Sequence, residues 1–214
     1  MKKIFLASLC LLATPFFVSA QLKKADGNSE IKKVQEANKN TSSIQCPFVR
    51  TTKVAAINST TTSDGTFYFS APDNLSMKYS DGENLIVTAD NVSLSVGGKV
   101  RTLRAGNRHV EDLSATLLAC VKGQISNIEG TLLSAKTSGK NIVFKIKTDL
   151  TVGRNKVSTL ELAYDKTDLT LVSLNMLEAD GSNTLYELKS KTLNKSIDSS
   201  VFEHPKQQRK RATK

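Results

Sequence analysis

Gly65-Thr-Phe-Tyr-Phe-Ser-Ala-Pro-Asp-Asn-Leu-Ser-Met-Lys-Tyr-Ser-Asp-Gly82 sets large apolar side chains at every second position on either side of a proline. Alternate residues of a strand share a face, so Phe67 and Phe69 lie on one side of a first strand and Leu75, Met77 and Tyr79 on one side of a second. Ser76 and Lys78 point the other way. The stretch reads as two antiparallel strands with one dry face. In a chain of 214 residues with no tryptophan and eight phenylalanines, what covers that face decides the fold.

Working outward, the same alternation recurs at Ile142, Phe144 and Ile146 and at Leu160, Leu162 and Tyr164. The pairs Asp64-Gly65, Asp81-Gly82, Asp90-Asn91, Gly97-Gly98 and Asp180-Gly181 suit the positive φ of tight hairpins. They separate predicted strands at 49–58, 65–71, 75–80, 84–89, 92–96, 99–103, 131–137, 141–148, 157–165, 169–178 and 183–192. Ahead of these, Ile44, Cys46 and Phe48 alternate, and Pro47 predicts an edge or a bulge there. Two segments have helical spacing instead: 28–41, with cap Ser29 and apolar Ile31, Val34 and Ala37, and 110–122, with Val110, Leu113, Leu117, Leu118 and Val121. The expected fold class is α+β, a single antiparallel sheet of about eleven strands whose apolar face is covered by two to three helices.

Lys2 and Lys3 precede the apolar run Ile4 to Val18, and Val18-Ser19-Ala20 offers small residues for cleavage, so residues 1–20 are read as a signal peptide. Cys10 leaves with it. No later stretch reaches the roughly 18 apolar residues of a membrane span, and a soluble exported domain over 21–205 is expected, acting as a monomer. The formal charge is +10, yet Lys206, Arg209, Lys210, Arg211 and Lys214 crowd into the end, which reads as a basic disordered tail, 206–214, solvated or touching acidic surfaces. A nucleic-acid partner is not expected, since such a binder places its cations on an ordered face with aromatic or amide readers among them.

Cys46 and Cys120 remain in an oxidising compartment. They are either a disulfide or two buried thiols that behave as small apolar groups. The histidines, His109 and His204, have no constellation around them, and the chain holds no nucleophile elbow, zinc-protease motif, Cys-x-x-Cys or phosphate loop. No enzyme activity, metal or cofactor is expected.

Periodicity leaves two readings of the oily face open: a sheet that curls into an ordinary filled core, or an unclosed half-barrel whose cavity takes an apolar ligand under a helical lid. A resemblance bears on the choice. Thr41-Ser-Ser-Ile-Gln-Cys-Pro-Phe48, then Gly65-Thr-Phe-Tyr-Phe-Ser-Ala-Pro72 and Leu75-Ser-Met-Lys-Tyr79, with Leu185-Tyr-Glu-Leu-Lys189, Ile197-Asp198, Phe202 and Pro205 at the end, resemble the periplasmic outer-membrane lipoprotein carrier (LolA-like) family over roughly residues 28 to 205.

The resemblance implies an unclosed β-barrel in the periplasm, capped by helices. It implies a carrier that takes the acyl chains of lipoproteins from an inner-membrane exporter complex to an outer-membrane acceptor, without chemistry on the cargo. Phe67, Phe69, Leu75, Met77, Tyr79 and Phe144 are the candidate cavity residues. Ile31, Val34, Leu113, Leu117, Leu118 and Val121 are the candidate lid residues, and a Cys46–Cys120 bridge would tether lid to sheet. Family members often carry an arginine before the proline that bonds to the lid; here Ala71 stands there. The other functions kept open are a half-barrel sensor or regulator that binds lipoproteins, and an exported structural domain with a filled core.

Overall fold

The computed structural model describes residues 27–89, 91–104, 108–152 and 155–205. The expected signal segment, the basic tail and Asp90 of the Asp90-Asn91 turn lie outside them. Helix α1 (Gly27–Asn38) leads into strands β1 (Ser43–Val54), β2 (Ser59–Ser70), β3 (Asn74–Tyr79), β4 (Asn84–Val87), β5 (Asn91–Val96) and β6 (Lys99–Arg104). Helix α2 (Arg108–Val121) interrupts the sheet, which resumes with β7 (Thr131–Ser138), β8 (Asn141–Val152), β9 (Asn155–Asp165), β10 (Leu171–Glu178), β11 (Asn183–Leu188) and the two-residue β12 (Thr192–Leu193).

All pairings are antiparallel, in the order β6-β5-β4-β3-β2-β1-β11-β10-β9-β8-β7, with β12 beside β1. The sheet is therefore open, with β6 and β7 as its edges. Two meanders, one from each half of the chain, join where Phe48 pairs with Leu188 and Arg50 with Tyr186. One apolar core holds both meanders and both helices.

Two local expectations are corrected. Pro47 is not at an edge but in β1, between β2 and the β11–β12 side. Within an extended strand the N and C=O of a residue point to the same neighbour, and the Pro47 carbonyl accepts from Lys189 N. The missing N–H thus faces the Lys189 side at the point where β11 ends, so the proline costs the ladder no more than its last bond. For the same reason the strand expected over 183–192 divides in two.

Asp64-Gly65 is not a turn either. The hairpin turns at Ala55–Ile57 and Asn58, whose φ is +46°, while Gly65 sits inside β2. A Cβ there would come within 2.2 Å of the Lys78 carbonyl, so the glycine serves close strand approach rather than reversal. Gly82, Gly97, Gly98 and Gly181 do have positive φ in the expected turns.

Helix α1 buries Ile31 and Val34 as its spacing implies, but its third inward residue is Asn38, not Ala37. Asn38 Nδ2 donates to the Val34 and Leu169 carbonyls at 2.8 and 2.7 Å, bonds that permit an amide in the core.

Candidate functional site

Helix α2 lies over the concave face, packing against β8 and β10. Its residues Leu113, Leu117, Cys120 and Val121 recur at three and four positions, so they form one stripe, and that stripe roofs a cavity of about 80 Å³. Phe67, Leu75, Met77 and Leu85 form one wall and Leu171, Leu174, Met176 and Leu188 the opposite one. Val152 and Tyr186 complete the lining. Apart from the Cys120 thiol and the Tyr186 hydroxyl, the lining side chains are hydrocarbon or thioether. Ligand pockets commonly measure ≈300–1,000 Å³, so with α2 in this position a long chain does not fit. Entry of one requires α2 to withdraw.

Of the six candidate cavity residues, the structure places Phe67, Leu75 and Met77 in the lining and the other three in the packed core around it. Tyr79 is occupied by Phe48, its ring edge-on at 4.9 Å and 87°, across the space that Gly65 leaves on the strand between them. Phe144 packs edge-on against Tyr164 at 5.8 Å. Phe69 is fully buried beside Ile44 and Leu75 of the adjacent strands.

Among the candidate lid residues, Leu113, Leu117 and Val121 roof the cavity. Leu118 belongs, with Val110 and Ser114, to the next stripe of α2 and lines a more open crevice of about 270 Å³ beside the β4–β5 turn. Ile31 and Val34 are buried where α1 packs on β7 and the 3-10 turn Ile125–Asn127, so α1 does not roof the cavity.

Of the two readings left open for Cys46 and Cys120, a disulfide or two buried thiols, the structure has the second: both are free and both buried. They occupy different neighbourhoods. Cys46 pairs with Phe67 on β2 and feels the charge of Lys191, whereas Cys120 lies at the end of α2, where its carbonyl accepts a 2.6 Å bond from Tyr164 Oη. Burial pushes both thiols up to about 12, with Lys191 pulling weakly the other way at Cys46. Such thiols are protonated and unreactive.

Two polar features border this apolar region. Lys122 Nζ, at the end of α2, donates to the Pro72 carbonyl at 3.1 Å and approaches Asp73 Oδ1 at 3.4 Å. It ties the roof to the β2–β3 turn. The residue just before this proline is Ala71, so the cation of the contact comes from the helix side. The second feature is Arg50, whose guanidinium carbon stands 4.4 Å above the Tyr79 ring and whose Nε donates to Ser63 Oγ at 2.9 Å. Burial works against its charge, but Tyr79, Tyr186 and Glu83 outweigh burial and the net shift is upward.

His204 lies away from the cavity, its Nε2 2.9 Å from Thr88 Oγ1 and its Nδ1 2.7 Å from Ser93 Oγ. Among the described residues no group of three His, Cys, Asp or Glu side chains could hold a metal, and no helix is long and apolar enough to cross a membrane.

A sequence profile described as outer membrane lipoprotein carrier protein LolA matches residues 39–205. The chain belongs to the LolA family. The match takes in the whole sheet, the roofing helix and the closing segment, and leaves out α1. No curated protein matches by sequence.

Solved structures similar to this LolA-family chain include a Vibrio parahaemolyticus domain assigned to outer membrane lipoprotein sorting (10% identity, 82% of this chain and 95% of the other, TM-score 0.48). A LolA superfamily protein from Nitrosomonas europaea follows (10%, 83% and 97%, 0.43), with the Mycobacterium tuberculosis lipoprotein LppX (15%, 79% and 96%, 0.40).

The lining residues missed in the sequence, Leu85, Val152, Leu171, Leu174, Met176, Tyr186 and Leu188, lie mainly on β10 and β11. Their alternation was visible, but nothing local says that β11 pairs with β1, some 140 positions earlier in register.

Proposed function

We propose that this chain is a periplasmic carrier that takes up the acyl chains of lipoproteins under α2 and moves them from an inner-membrane exporter to an outer-membrane acceptor. The observation that carries it is the cavity between α2 and the sheet, lined almost wholly by hydrocarbon, in a chain of the lipoprotein-carrier family. Each buried methylene contributes about 0.8 kcal/mol, so even partial burial of an acyl chain offsets its insolubility.

The small volume belongs to the mechanism. The stripe Leu113, Leu117 and Val121 contacts the wall that the cargo would contact, so roof and cargo compete for one apolar surface. Closure of the roof returns much of what release of the cargo gives up, which keeps binding reversible. Methionines at 77 and 176 suit a guest of irregular shape, because an unbranched thioether repacks easily.

The test is release of a radiolabelled lipoprotein from spheroplasts. Added protein should bring the lipoprotein into solution as a stoichiometric complex, which should then deliver it to outer-membrane vesicles. A lipoprotein that stays on the spheroplasts rules the carrier out. A soluble complex that forms but delivers nothing points to a sensor.

A further inference from the structure

The concave face changes character along one line. In β1 the inward residues run Ile44, Cys46, Phe48 and then Arg50 and Thr52. In β2 they run Phe69, Phe67, Gly65 and then Ser63, and in β11 Leu188 and then Tyr186 and Thr184. Register aligns these steps, because Arg50 pairs with Ser63 on one side and with Tyr186 on the other. The apolar wall therefore ends at a transverse polar row, and Tyr186, the member of that row that lines the cavity, is among the described residues the only lining one with a hydroxyl.

Arg50 sits in this row in a fixed pose. Tyr79 stacks under the guanidinium, Ser63 takes the Nε donor, and the Tyr79 and Tyr186 hydroxyls lie 3.4 Å apart beside it. Glu83 Oε2 is 3.7 Å from Nη2, an ion pair longer than a hydrogen bond. A guanidinium carries five N–H donors in a planar fork that matches carboxylate and phosphate oxygens. Ser63 and the phenols fall short of that number, and the loose Glu83 contact is one that an incoming anion can replace.

We infer that Arg50, with Tyr79 and Tyr186, is a head-group subsite that takes the anionic end of an acyl amphiphile whose tail occupies the cavity under α2. This rests on the reading that the cavity takes acyl chains, and it adds a charge preference: an anionic head is favoured over a neutral one, and a cationic head is disfavoured. A structural role for Arg50 would stabilise the fold without such a preference. A charge-assisted hydrogen bond should distinguish the head groups by about tenfold or more in affinity.

The experiment is displacement of a neutral fluorescent naphthylamine from the purified protein by dodecanoate, methyl dodecanoate and dodecyltrimethylammonium, each below its micellar concentration. Dodecanoate should act at about tenfold lower concentration than the ester, with the cation weakest. Arg50→Gln should bring acid and ester within about twofold, with a circular dichroism spectrum like the parent's showing that the variant is folded. Arg50→Lys should keep part of the preference. Tyr186→Phe, which removes only a hydroxyl, should weaken dodecanoate a few-fold more than it weakens the ester. Equal displacement by acid and ester in the unaltered protein, or a preference that survives Arg50→Gln, overturns the subsite and leaves the cavity reading standing. Failure of all three amphiphiles to displace the probe overturns both.

Discussion

Lys122 Nζ and the Pro72 carbonyl oxygen are 3.1 Å apart, and through this bond the last turn of the roofing helix is fastened to the turn between β2 and β3. Asp73 adds an ion pair at 3.4 Å in a half-exposed setting. Contacts of this exposure contribute about 0.2–1 kcal/mol, enough to bias a roof without sealing it. Lys122→Met should therefore speed amide exchange across 113–121 and raise the rate of probe uptake up to about fivefold, with the midpoint of urea unfolding little moved. Uptake at the original rate would show that the bond has no part in opening.

Leu113 and Leu75 line the same cavity but are exposed to different degrees: Leu113 is half-buried, whereas Leu75 is 1% exposed. A carboxylate at 75 would be buried among apolar side chains, so Leu75→Glu should unfold the domain rather than just close the cavity to ligand. Leu113→Glu can keep its charge at the margin of the roof. It should lower probe affinity at least tenfold while circular dichroism stays that of the parent.

Tyr164 Oη donates to the Cys120 carbonyl at 2.6 Å, with both residues fully buried. The bond holds the end of α2 to β9. Tyr164→Phe keeps the ring and its edge contact with Phe144, so the loss should be that of one hydrogen bond, about 0.5–1.5 kcal/mol in urea unfolding. A larger loss would mean that the hydroxyl also positions the helix.

Burial raises the thiols of Cys46 and Cys120 from 9.0 to about 12. A raised value means that the folded state holds its protons where the unfolded state has lost them. Stability from this source is complete below about pH 9 and falls as pH rises toward 12. Unfolding followed from pH 8 to 11 should show that decline, and Cys46→Ala with Cys120→Ala should lessen it, leaving the part due to the buried hydroxyls of Tyr79 and Tyr164, which burial also raises. At pH 8 both thiols should resist Ellman's reagent until denaturant is added.

His204 titrates in the opposite sense. Burial lowers its pKa below the ordinary 6.5, so the unfolded state takes up the proton first. Its contribution is present above about pH 6.5 and is lost as pH falls through the lowered value. A doubly protonated ring has only donors, and one of the bonds to Thr88 and Ser93 then depends on a hydroxyl turning to accept it. Proteolysis of the segment after Lys195 should quicken between pH 7 and 5, and His204→Ala should remove that pH dependence.

The local content of this chain was legible from its residues. Phe67 with Phe69 and Leu75 with Met77 and Tyr79 announce two strands with one dry side, because a period of two admits no other regular backbone. The spacing of Leu113, Leu117 and Val121 announces a helix with one apolar stripe for the same kind of reason. Pairing across the chain was not legible. That Pro47 is harmless inside β1 depends on where β11 stops, and that Gly65 is no turn depends on how near β3 passes.

The cavity divides along the same line. Its apolar character was set by composition and alternation, since the ten leucines, methionines and phenylalanines that line it can make little else. Which of them stand free to line it and which are spent on one another was decided by register. Phe48 meets Tyr79, and Phe144 meets Tyr164, only because strands distant in sequence lie side by side. The polar row at Arg50 is the sharpest case: in β1 alone it is one charge after three apolar residues, and it becomes a boundary when β2 and β11 bring Ser63 and Tyr186 level with it.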